Sequence, residues 1–283
     1  MRNSEQRCEA PKRGTISKKG RAARLGTAFR ALIALSAARE LQYRANFFAS
    51  FLGAAFWLLM AVFTVSIFYE HTEVVGGWSF WEAAVLLGVF NALVGVVEGV
   101  LRPGIGSLPD EIRHGSLDLL LLRPIDAQLY LTFQEVDLWR IADVITGFAL
   151  SAYALHHLGR TPSVGEVALF LVTFLAAVAI LYGVWLTLMS LSFWFVAVEN
   201  LSTVFDAVFE AARYPASAYP SALRLVFLFV LPIVWTTTIP ASALVGRLSM
   251  SVAAGCLFIA AATLIISRAV WRLALRRYTS AGG

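Results

Sequence analysis

The chain has 283 residues, of which 59% are hydrophobic and 14% charged, with a mean hydropathy of +0.72. Soluble domains carry roughly a quarter charged residues, so this composition excludes a soluble enzyme, a disordered chain and a nucleic-acid-binding domain. The net charge of +5 rests on 23 Lys and Arg, and these follow a membrane topology rather than a nucleic-acid surface.

Eleven of those cations precede Phe47. Residues 1–20 read as a basic disordered tail. Residues 21–46 read as an amphipathic helix on the inner leaflet, because Leu25, Phe29, Leu32 and Tyr43 share one helical face while Arg24 and Arg30 point away. The short apolar stretch Ala31–Ala38 lies between Arg30 and Arg39, which argues against a cleaved signal.

A spanning helix needs about 20 mostly apolar residues. Six segments meet or approach that length: Phe47–Tyr69, Ala83–Leu101, Ile141–Leu158, Val167–Val198, Leu223–Leu244 and Ser249–Ile266. Pro232 and Pro240 interrupt the fifth and each removes a backbone donor. The expectation there is a span to about Pro240, then a short irregular or re-entrant stretch held where its freed carbonyls find partners. Continuous apolar runs exclude a β-barrel, whose strands alternate. The expected fold class is therefore an all-α polytopic membrane protein, with a six-helix transmembrane domain over residues 47–270 and a basic cytoplasmic tail over 271–283.

With the N-terminus inside, 21 Lys and Arg fall on the cytoplasmic side, Arg213 and Arg224 among them, and only Arg160 and Arg247 fall outside. That is the positive-inside pattern, and it places both termini in the cytoplasm. Arg268, Arg272 and Arg276, spaced by four, would form a basic face for lipid headgroups at the inner end of the last helix.

The longest cytoplasmic connection, residues 102–140, is unusually structured for a loop. Pro109 suits a helix start, Asp110 and Glu111 suit its positive dipole end, and Gly115 is a natural stop. The resulting helix of barely two turns carries Leu108 and Ile112 on one side, with Arg113 and His114 near its end. It either docks on a partner or packs on its own bundle. Leu117–Leu122 is apolar but too short to span, Arg123 and Pro124 stop it, and Asp126 can cap a further helix carrying Leu129, Phe133 and Val136.

The segments GSLDLLLLRP, FEAARYPASAYPSALR, LPIVWTTTIPASAL and RRYTSAGG together resemble the permease subunits of type-2 ABC exporters, the bacterial six-helix permeases encoded apart from their ATPase. The resemblance runs from about Arg39 to the C-terminus. It implies an N-terminal interfacial helix, six spans, a cytoplasmic coupling helix between the second and third, and a re-entrant extracellular element between the fifth and sixth. Coupling would fall on Leu108, Pro109, Ile112, Arg113, Gly115 and Leu117, with Arg123 and Pro124 shaping the elbow. It further implies a bacterial inner-membrane location, a partner ATPase that carries ATP and magnesium, and a second permease, either a similar chain or a second copy. The substrate path would lie between the two permeases.

The chain itself lacks the Gly-x4-Gly-Lys-Ser/Thr loop that cradles phosphates, since Lys12, Lys18 and Lys19 are its only lysines. No zinc spacing or nucleophile motif occurs, so no cofactor is expected on this chain, and the paired His156 and His157 read as interfacial. Ionisable or polar groups inside spans are costly and become candidates by default. Asn91 and Glu98, Asp143 and Glu199 are such groups. Asn91 is either a pathway residue or helix-to-helix glue, Glu98 and Glu199 either functional or interfacial carboxylates, and Asp143 either functional or paired with Arg140. Gly95-x-x-x-Gly99 permits close approach of a neighbouring helix, here weighed as a dimer interface. The rival reading is an ion-coupled secondary transporter in which Asp143 or Glu98 carries a proton.

Overall fold

The computed structural model describes residues 44–123, 125–195, 199–229 and 232–278, which are mostly helical. The expected tail 1–20 lies outside them, as does the expected interfacial helix except for Arg44, Ala45 and Asn46. Those three residues open α1 (Arg44–Tyr69).

From α1 the chain turns through a small hairpin in which β1 (Val74–Val75) pairs antiparallel with β2 (Trp78–Ser79). Gly76 and Gly77 supply the two positive φ angles that so tight a turn requires. Ser79 and Glu82 then form a capping box that starts α2 (Phe80–Val96). The last turn of α2 widens into a π segment, Val97–Leu101, and the chain enters an elbow of four short helices: α3 (Arg102–Ile105), α4 (Leu108–Arg113), α5 (Leu117–Leu121) and α6 (Ala127–Phe133). A 3-10 turn, Leu138–Arg140, leads back into α7 (Ile141–His157), and a second capping box, Ser163 with Glu166, starts α8 (Val164–Ser190). The bundle therefore has a hairpin end, where Trp81 stacks on His157 with ring centroids 4.3 Å apart, and an elbow end.

Among the described residues five helical stretches are long and apolar enough to cross a membrane: Phe48–Tyr69, Phe80–Arg113, Leu138–His157, Val164–Phe193 and Met250–Arg277. The second is the centre of the bundle, with 72% of its most apolar stretch buried against 22% for the first and last. It packs most intimately on α7, and small residues make that possible. A Cβ on Gly88 would strike the Gly147 carbonyl oxygen and stand 2.8 Å from the Ser151 amide nitrogen, while a Cβ on Gly147 would stand 2.5 Å from the Gly88 carbonyl oxygen. Ser151 closes the contact by donating to the Val85 carbonyl at 3.2 Å. In hydrocarbon, where apolar burial gives little preference for helix over lipid, such backbone approach and interhelical hydrogen bonding supply the association.

The fifth expected span differs from expectation. Leu223–Leu244 is not one helix: α10 (Ser221–Phe229) is followed by a 3-10 turn, Ile233–Trp235, and by α11 (Thr238–Leu244). Pro240 does not break the chain but occupies the third position of α11, where its missing N–H would have had no intrahelical partner. All of this sits at the hairpin end. Arg224 donates to the Ser217 and Tyr219 carbonyls at 3.1 Å, Ser217 donates to the Gly76 carbonyl, and Arg247 pairs with Glu82 at 2.6 Å. The passage from the elbow end is instead made by α9 (Glu199–Ala211) and the residues after it, since Asp206 pairs with Arg102 at one end and Ser217 meets Gly76 at the other. At a rise of about 1.5 Å per residue, α9 alone covers roughly 20 Å. The last helix, α12 (Met250–Arg277), returns to the elbow end. It stays helical through the start of the expected basic tail, as far as Arg277, with Trp271 and Ala274 fully buried.

The Gly88–Gly147 contact carries a direct test. Gly147→Ala places a methyl group against backbone that cannot step aside, and overpacking of this kind costs about 1–3 kcal/mol. The purified variant should unfold at a clearly lower temperature than the parent, whereas Gly53→Ala, whose Cβ meets open space, should not. Equal melting of Gly147→Ala and the parent would show that the two helices are not in backbone contact.

Candidate functional site: the elbow and the polar core beside it

The elbow is held by its two ends. α4 starts on Leu108 and Pro109, has Asp110 and Glu111 in its first turn, and stops where Gly115 adopts a φ of +69°. Leu108 is completely buried and Ile112 is half-buried against the core, so this helix packs on its own bundle, close to the end of α8. Arg113 is exposed at its tip, 3.5 Å from Asp110. Leu117 and Leu120 anchor α5 in the same way. The opposite face of that helix is bare: Leu119 is 68% exposed and Leu122, just past its end, 82%, with Leu121 between them also exposed. The apolar surface that the elbow offers is therefore displaced from Ile112 to these three leucines. Arg123 lays its guanidinium over the Tyr130 ring, 4.3 Å from the centroid, and Pro124 lies outside the described residues.

Asp126 caps α6 as its sequence position suggested, accepting from the Gln128 and Leu129 amides at 3.0 and 3.4 Å. The buried leucine of α6 is Leu131, beside buried Gln128 and Thr132, rather than Leu129, which is exposed. The same carboxylate pairs with Arg268 at 2.5 Å, and Arg268 also donates to the Gln128 side chain. The Arg268 hydrogen bond and the two amides hold the Asp126 carboxyl below its ordinary value, against the opposing effect of burial. Arg268 thus ties α12 to the elbow and is not part of a lipid-facing row with Arg272 and Arg276.

Behind the elbow lies a chain of ion pairs. Glu98, in the π segment, meets Arg102 at 2.9 Å and Arg140 at 3.7 Å, and Arg102 also binds Asp206 of α9. Arg140 reaches Asp143 at 3.4 Å and Asp137 at 3.8 Å, so Asp143 does pair with its neighbour one turn away. Asn91 donates to the Asp143 carbonyl at 2.7 Å and to Thr146 Oγ1 at 3.1 Å, which makes it a bridge between α2 and α7. Gly95 and Gly99 serve that same contact: a Cβ on Gly95 would stand 2.8 Å from the Arg140 carbonyl oxygen and one on Gly99 3.1 Å from the Asp137 carbonyl oxygen. Gly95 thus faces Val144 of α7 and Arg140 before it, and Gly99 faces Asp137 and Arg140. Glu199 opens α9.

Sequence reasoning missed Asp206, Glu210 and Arg213. Glu210 and Arg213 pair at 2.6 Å, and Arg213 stands 5.5 Å from the centroid of the Phe90 ring, midway along α2. With Asn91, Arg140 and Asp143 they line a cavity of about 390 Å³ whose remaining wall includes Trp57, Met60 and Thr64 of α1. The signal was present in the spacing of Phe205, Phe209 and Ala212, which are all buried, opposite Asp206 and Glu210 on a segment too polar to read as a span.

No curated protein and no solved structure matches the chain. The family model described as ABC-2 family transporter protein matches residues 55–282, a stretch that includes every helix from α2 to α12 and most of α1. The chain belongs to this family, and is thus a membrane permease of the ABC transporter class.

Proposed function

We propose that this chain forms half of the translocation path of an ATP-driven exporter in a bacterial inner membrane. In this reading both termini and the elbow are cytoplasmic, a separate ATPase supplies ATP and magnesium, and a second permease, a similar chain or a second copy, completes the path. The observation that carries it is the bare leucine face of α5. Exposed Leu119, Leu121 and Leu122 stand on an elbow whose own anchors, Leu108 and Leu117, are fully buried. An apolar patch on a rigid support is what a protein partner needs, because docking on it costs little ordering entropy. The coupling contact accordingly lies on α5, with α4 as its buttress. A secondary transporter would leave this face unexplained.

In the proposed exporter the elbow also has physical routes into the bundle. Arg102 with Asp206 connects it to α9, and Arg268 with Asp126 connects it to α12. A displacement of the elbow by the ATPase would reach both helices.

Two outcomes are expected. Purified alone, the chain should hydrolyse no ATP, and measurable hydrolysis by it would end the permease reading. The double variant Leu119→Asp with Leu122→Asp should insert and melt like the parent, since both side chains are already solvated. It should nevertheless fail to co-purify with the ATPase, because two carboxylates would be buried unpaired in the contact at a cost of several kcal/mol. Full ATPase recovery with this variant would move the contact elsewhere on the elbow.

A further inference from the structure

Glu210 and Arg213, paired at the end of α9, stand away from the elbow, and their position is costly. Phe90 is about 15 Å from the start of α2 by helical rise, so Glu210 and Arg213 lie at the depth of the middle of the bundle. There the Glu210 side chain is 56% exposed and that of Arg213 30%. Ionised groups at such depth face a cavity or a partner rather than hydrocarbon. The cavity is present, and its volume of about 390 Å³ lies within the ~300–1,000 Å³ usual for small-molecule sites.

Its chemistry narrows the occupant. Arg140 is already engaged by Glu98, Asp137 and Asp143, and the Asn91 amide by the α7 backbone. Glu210 and Arg213 have only each other among these ion pairs, and the Arg213 Nε is buried without a hydrogen-bond partner among the described residues. A purely anionic ligand that took Arg213 would strand Glu210, and a purely cationic one would strand Arg213. A group carrying both charges satisfies the two together. The opposite wall is apolar apart from Thr64, and Trp57 and Met60 carry it out to the exposed side of α1. We infer that the cavity between α1, α2, α7 and α9 binds the zwitterionic head of a single-chain amphiphile, with Glu210 on its cation, Arg213 on its anion, and the tail leaving past Trp57 and Met60.

This substrate class rests on the permease reading for its physiological meaning, but binding by the full chain without an ATPase tests it separately. The purified chain is offered an equimolar mixture of lysophosphatidylcholine, lysophosphatidylglycerol and hexadecyltrimethylammonium, and the bound species are counted by native mass spectrometry. The parent should retain the zwitterion over either ion by about tenfold, equivalent to about 1.4 kcal/mol. Glu210→Gln should pass the preference to the anionic lipid and Arg213→Gln to the cation. The charge-exchanged pair, Glu210→Arg with Arg213→Glu, should keep the zwitterion, which covers the case in which a single substitution fails to fold. Equal retention of all three amphiphiles by the parent, or a preference unmoved by either single substitution, would overturn the assignment while leaving the ATPase contact intact.

Discussion

The backbone contact between α2 and α7 is the constraint on which the rest of the structure depends. With no Cβ at Gly88 or Gly147, the helices approach until carbonyl groups and Cα atoms touch, and the Ser151 hydroxyl reaches the Val85 carbonyl. That approach brings Asn91 to the Asp143 carbonyl and Arg140 to Glu98. It also makes α2 the most buried helix, so that α1 and α12 are left at the periphery. A larger residue at the contact would separate the polar partners as well as the helices.

Polar groups elsewhere are distributed according to what can solvate them. At the elbow end Glu98, Arg102, Arg140 and Asp206 form a connected set, each charge facing an opposite one. At the hairpin end Arg247 joins Glu82 and the Gly77 carbonyl, and Arg160 joins Glu166 at 2.5 Å. These two clusters close the bundle at either end. The Glu210–Arg213 pair lies between them, at the end of α9 and beside the cavity, and this placement distinguishes it from charges that serve to hold helices in register.

Much of the fold was legible from single residues. Pro109 and Gly115 bound α4, Asp126 caps α6, and the five long apolar runs apart from the fifth in order correspond closely to α1, α2, α7, α8 and α12. The fifth passage was not legible from hydropathy, for a physical reason. α9 is half polar because one of its faces meets ion pairs and a cavity, and so it lacks the uniform apolar character by which spans are recognised. The apolar run after it, Leu223–Leu244, is instead folded over the hairpin end, where Thr237 donates to the Ala212 carbonyl at 2.8 Å and the turns are covered by α8 and α2. The positive-inside count was not sensitive to this exchange. Moving Arg224 to the outer side and Arg213 into the passage leaves nineteen cations inside and three outside, an asymmetry of the same sign. The shift of the exposed apolar face from Ile112 to Leu119 and Leu122 was equally invisible, because Leu108, Leu117 and the outward leucines are chemically alike and only packing separates them.

The proposed orientation has the chain reach the outer side through α9 and stay there until α12. Cysteine accessibility in intact cells tests it most directly. With a membrane-impermeant thiol reagent, Arg224→Cys and Thr72→Cys should label together, and His114→Cys only after the membrane is opened. Labelling of Thr72→Cys with Arg224→Cys protected until the membrane is opened would return residue 224 to the cytoplasm and contradict the account.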